Sequence, residues 1–124
     1  MVTVMPVLTS TQAQDIREAL YTAERRSGLR FAAYLGPALG PRRHFSERLH
    51  AALGREADTA VLVFVDLGER ALEIVTGSRA RLRLTDGECR LAAVSMAAVL
   101  LTGDLAGGVV TGVWILADLA SRRR

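Results

Sequence analysis

Residues 60–66 read Ala60-Val-Leu-Val-Phe-Val-Asp66, and residues 67–77 continue Leu67-Gly-Glu-Arg-Ala-Leu-Glu-Ile-Val-Thr-Gly77. Six apolar residues in succession, mostly β-branched or aromatic, predict a central strand covered on both faces. Leu67-Gly68-Glu69-Arg70 supplies a turn, and residues 71–76 supply an antiparallel hairpin partner. A strand with no polar face needs a layer of helix on each side. This stretch therefore predicts an α/β protein with a small mixed sheet, arranged as a three-layer α/β/α sandwich.

Downstream, Arg79, Arg81 and Arg83 alternate with Ala80, Leu82 and Leu84. The period of two predicts a short edge strand, with arginines that discourage edge-to-edge pairing. Thr85 followed by Glu88 forms a capping box and opens a helix running to about Thr102. Gly103-Asp104 breaks the apolar run, and Asp104 opens a last helix to about Ser121. The pairs Gly103/Gly107 and Gly108/Gly112 predict that this helix lies close against a neighbour. Residues 91–117 carry a single charge, Asp104, over a length that could span a bilayer. The break at Gly103-Asp104 divides that stretch into halves better sized for buried helices.

Upstream, residues 1–9 read as an arm or short strand. Ser10 or Thr11 caps a helix to about Ser27, with Ile16, Ala19, Leu20 and Ala23 on one apolar face. Residues 29–35 read as a strand and residues 36–41 as a loop. A helix over residues 42–53 buries Phe45, Leu49 and either Ala52 or Leu53. The expected organisation is one domain over residues 10–121, preceded by the arm and followed by a basic tail at residues 122–124.

The chain has 124 residues, half of them hydrophobic, which bounds it to one folded domain. Its net charge of +3 comes with arginine as the sole basic type besides histidine, since lysine is absent. Such usage reflects a GC-rich coding sequence more than a nucleic-acid surface, and the few aromatics form no stacking platform. Nucleic acid is not an expected partner. One cysteine, Cys89, excludes an internal disulfide and a cysteine metal cluster. Residues 1–8 lack the basic start of a signal peptide, so the expected location is the cytoplasm or the inner face of the envelope.

The order of short motifs along the chain resembles the TPM domain family. The carrying residues are Glu24 to Gly28 at the end of the first helix, Arg70 after the turn, Thr76-Gly77, Leu84-Thr85-Asp86 and Gly103-Asp104. They cover roughly residues 8–120, most like short actinobacterial members. The resemblance implies the same three-layer fold and an acidic cleft near the strand ends. In some members such a cleft binds a divalent cation, typically calcium, and acid phosphatase activity is ascribed to others. Carried onto this chain, the metal-ligating positions are Glu24, Asp86 and Asp104, and a phosphatase would use Arg70, Asp86 and Asp104. Carboxylates clustered in this way suit calcium, and an arginine beside them suits a bidentate phosphate. The acid that the family carries before its first helix is missing from residues 2–6, so any calcium affinity is expected to be weak.

Other candidates are weaker. His44 and His50 lie six residues apart, on different sides of a helix, where a zinc pair would be spaced by four. Cys89 has no nearby histidine and reads as a buried, apolar thiol. The loop before Arg42 and Arg43 lacks the glycine spacing of a nucleotide site. The expected role is a non-catalytic interaction or regulatory module with an unidentified protein partner, needing no cofactor, and a monomer or weak homo-oligomer. The alternatives are a cation-dependent acid phosphatase and a membrane-associated subunit.

Overall fold

The computed structural model describes residues 2–4, by backbone alone, and residues 8–123. Met1, Met5, Pro6 and Val7 of the expected arm and Arg124 of the expected tail lie outside the described residues. The sheet has four strands in the order β1 (Val2–Val4), β2 (Arg30–Leu35), β3 (Ala60–Asp66) and β4 (Ala71–Thr76). β1, β2 and β3 are parallel, and β4 returns antiparallel to β3 with Asp66 opposite Ala71. Every residue of β3 is buried. The four helices are α1 (Ser10–Ser27), α2 (Arg42–Ala51), α3 (Asp86–Leu100) and α4 (Leu105–Ser121).

Alternation along the strands sorts the core into two layers. Phe31, Leu35, Val61, Val63 and Val65 face α1, α3 and α4, where they meet Ile16, Leu20, Met96, Val109, Val113 and Leu116. Ala32, Leu62 and Val75 face α2, together with Tyr34, Leu49 and Leu53. This is the three-layer α/β/α sandwich with a small mixed sheet. The α2 layer is thin. Phe45 and His50 are buried there, Leu49 and Leu53 are half-buried, and Ala52 is exposed, contrary to the expectation of a fully buried Leu49.

Local chemistry accounts for the element boundaries. α1 is capped by Thr9 rather than Ser10 or Thr11, because Gln12 stands at the third helical position and returns a bond to the Thr9 N–H. Thr85 and Glu88 form the expected capping box of α3. Asp104 caps α4 by accepting the Gly107 N–H at 2.9 Å. α4 packs directly on α3 through Gly108 and Gly112. A methyl group at those positions would come within 2.6 Å of Leu100 and 2.1 Å of Met96, respectively. Gly103 and Gly107 take no part in that contact, since Gly103 lies in the turn and Gly107 sits over its own cap. No helix among the described residues is long and apolar enough to cross a membrane. The stretch considered as a membrane insert is instead the α3–α4 hairpin.

The segment at residues 79–84 is not an edge strand. It forms a turn of 3-10 helix at Ala80–Leu82, with Ala80 and Leu84 buried and Leu82 exposed. The apolar positions that count are four apart, so the apparent period of two was coincidental. Backbone bonds fix the turn: Arg81 N–H donates to Gly77, Leu82 N–H to Arg79 and Arg83 N–H to Ala80. Arg83 points inward and donates to the carbonyls of Ser27 and Ala120. Beside it, Arg123 holds both carboxylate oxygens of Glu88 at 2.7 Å, tying the end of α4 to the start of α3. Hydrogen bonding from Arg123 and then from the Thr85 N–H keeps the Glu88 carboxyl below its ordinary range. The stability from this tie is present above the ordinary glutamate range and is lost as pH falls through the lowered value.

Candidate functional site

The three carboxylates singled out in the sequence, Glu24, Asp86 and Asp104, do not form one group. Glu24 accepts the Phe31 N–H at 3.0 Å and lies 3.9 Å from Arg30, joining α1 to the start of β2. Asp86 is exposed in the first turn of α3, beside a shallow pocket with Arg43, Glu73 and Cys89. Asp104 follows the far end of the same helix. α3 has 15 residues, so about 22 Å of helix separates the two aspartates. Calcium–oxygen distances of about 2.3–2.6 Å do not allow them to share an ion. Among the described residues, no three His, Cys, Asp or Glu side chains are grouped to hold a metal. The calcium site on Glu24, Asp86 and Asp104 is therefore not assembled, and neither is the phosphatase centre on Arg70, Asp86 and Asp104.

Burial pushes the Cys89 thiol up to about 11, and the nearby Asp86 and Glu88 carboxylates add to the effect. The thiolate is the reactive form. Cys89 should therefore react with iodoacetamide at pH 8 at least about a hundredfold more slowly than a free cysteine. Mass spectrometry of the alkylated protein checks this, and labelling at the free-cysteine rate would contradict it.

Two concave regions gather charged side chains beside apolar ones. The first is a groove of about 860 Å³ between α1 and α4. Val110, Trp114 and Asp118 recur at intervals of four along its α4 wall, while Asp15 and Glu18 line the α1 wall. Trp114, the chain's single tryptophan, remains 56% exposed there. Asp104 closes one end. Arg26 enters the groove and pairs with Asp118 at 3.1 Å. Among the described residues, Asp15, Glu18 and Asp104 have no basic partner. The groove is thus acidic in a chain whose net charge is positive. The spacing of Val110, Trp114 and Asp118 was readable in the sequence. The pairing of that face with α1 was not, because nothing local says that α1 and α4 are neighbours.

The second region is a pocket of about 600 Å³ between the β3–β4 turn and the α3–α4 turn. Asp66, at the end of β3, is only 4% exposed. Its two oxygens accept the Glu69 N–H at 3.1 Å and the Ala38 N–H at 3.4 Å. It fixes the turn that carries Arg70. Sequence reading passed over Asp66 as a strand terminus, although an aspartate directly before a Gly-containing turn is the available signal.

Residues 2–117 match a family model described as a domain of unknown function, DUF5130. Two uncharacterised proteins of Mycobacterium tuberculosis, from strains CDC 1551 and H37Rv, are each 32% identical over 101 residues. The aligned stretch is 80% of this chain and 59% of those proteins, so the chain spans about three-fifths of their length. Three NMR structures share the fold. The N-terminal domain of a protein from P.gingivalis has a TM-score of 0.82 at 21% identity, covering 95% of this chain and 80% of that one. The BA42 protein of the psychrophilic bacterium Bizionia argentinensis has a TM-score of 0.81 at 14% identity, covering 94% and 83%. The N-terminal domain of the cg2496 protein of Corynebacterium glutamicum has a TM-score of 0.74 at 17% identity, covering 99% and 79%. The matching family is not the TPM family, so the assignment suggested by motif order is corrected.

Proposed function

We propose that this chain, which belongs to the DUF5130 family, a domain of unknown function, is a non-catalytic interaction module that receives a basic, apolar-anchored segment of another protein in the α1–α4 groove. The half-exposed Trp114 between carboxylates that lack basic partners carries the reading. Tryptophan is enriched among residues that dominate binding energy, because its large face is buried on contact. Asp15, Glu18 and Asp104 supply charge complementarity, which sets orientation and selects against acidic partners. The same carboxylates disfavour nucleic acid and anionic lipid.

The test uses Trp114 as its own reporter. The whole chain is titrated with an amphipathic Arg/Leu peptide and with its Glu/Leu counterpart, following tryptophan emission. The basic peptide should bind at least about tenfold more tightly at low salt, and the difference should shrink as salt is raised. Asp15→Asn combined with Glu18→Gln should remove most of that preference. Equal responses to both peptides, or none to either, would overturn the proposal.

A further inference from the structure

We infer that the pocket between the β3–β4 and α3–α4 turns binds a small amphiphilic carboxylate, its apolar chain among leucines and its headgroup on Arg70. The walls are Val65, Leu67, Leu72, Leu100 and Leu105. A volume of about 600 Å³ lies within the range of small-molecule sites. The pocket opens at the carboxyl end of β3, where open α/β sheets commonly take ligands.

Arg70 is set apart from the other arginines. Arg26, Arg30, Arg42, Arg43, Arg122 and Arg123 all have carboxylate partners. Among the described residues, Arg70 shares with Arg55, Arg79 and Arg90 the lack of an ion pair or hydrogen bond through its side chain, and of these four it alone lines this pocket. Its backbone is left-handed, with φ 52°, and it is the one non-glycine residue in that region among those described. The turn carries a glycine two positions earlier, yet the strained conformation falls on the arginine. Left-handed backbone is disfavoured at a residue with a Cβ, and an outlier of this kind is a reason to look for function. Asp66 also lines the pocket, but both its oxygens are engaged by backbone amides. It therefore supports the turn while leaving Arg70 as the cation that faces a ligand.

Decanoate, decanol and decyltrimethylammonium, each below its micellar concentration, distinguish the chemistry. The readout is the set of amide NMR shifts of Leu67, Arg70, Leu101 and Gly103 in the whole chain. Decanoate should saturate and bind about tenfold more tightly than decanol, and the cation should bind least. Arg70→Gly relieves the left-handed backbone, so it should melt no lower than the parent while decanoate falls to the decanol level. Arg70→Met keeps the side-chain stem and should show the same loss. Equal binding of decanoate and decyltrimethylammonium, or undiminished decanoate binding by Arg70→Gly, would overturn the inference. The groove at Trp114 is a separate site, and failure of either reading leaves the other standing.

Discussion

Phe64→Ala is expected to lower the free energy of unfolding by about 3–5 kcal/mol. Phe64 is fully buried at the centre of β3, on the face that receives α2. Its ring stacks on Tyr34 at 5.4 Å and meets Phe45 of α2 edge-on at 5.8 Å. Tyr34 and Phe45 complete the triangle at 5.9 Å. The remaining apolar contacts of this layer are few, with Ala32, Leu62 and Val75 beneath the half-buried Leu49 and Leu53. Removing the ring leaves a cavity and also deletes two aromatic contacts, each worth about 0.5–1.5 kcal/mol beyond area. Loop collapse offers little relief, because β3 is hydrogen-bonded on both sides. Urea unfolding followed by circular dichroism measures the loss. A change under about 1 kcal/mol would show that α2 contributes little to holding the fold.

Gly77→Ala should cost about 3 kcal/mol, the upper end of overpacking penalties. The added methyl group would lie 1.9 Å from the Ala57 carbonyl oxygen and 2.5 Å from that of Asp58. Both atoms belong to the backbone of the 3-10 turn at Gly54–Thr59 that leads into β3. Gly77 is also held from both sides, donating to Ala60 at 2.9 Å and accepting from Arg81 at 3.0 Å. Neither strand end can retreat without losing backbone hydrogen bonds. At Gly112, by contrast, the opposing atoms are the flexible Met96 side chain. A melting temperature lowered by about 10 °C or more is the expected readout for Gly77→Ala. An unchanged melting temperature would mean that the turn is free to move away.

The same glycine explains why motif reading reached the right architecture through the wrong family. Thr76-Gly77 marks a close backbone approach, Leu84-Thr85-Asp86 a helix start with a buried leucine, and Gly103-Asp104 a turn followed by a cap. Each is required by the local path of the chain. Any sequence following this path meets the same demands, so these motifs report topology better than descent. The hairpin of β3 and β4 was legible because its burial and its turn are local. Residues 79–84 were misread because alternation over six residues cannot distinguish a strand from a turn with buried residues four apart. The candidate metal site failed for a geometric reason: Asp86 and Asp104 sit at opposite ends of one helix, and their shared acidity carried no information about distance. The Trp114 groove and the Arg70 pocket both depend on which helices and turns are neighbours, and only the folded chain supplies that.

The strand order carries a consequence for how the chain is made. Each strand of the sheet lies beside the one that precedes it in the chain. During synthesis a newly emerged strand finds its partner already present, and no later segment must be threaded between two earlier ones. Contacts between segments near in the chain close quickly, because little loop entropy is lost. The exception is the packing of α1 on α4, which joins the first helix to the last. The sheet can therefore grow in the order of translation, while the helical layer over β1–β3 waits for the ribosome to release α4. Until then the apolar faces of Ile16, Leu20 and Ala23 have no cover from α4, and transiently uncovered apolar surface of this kind favours aggregation.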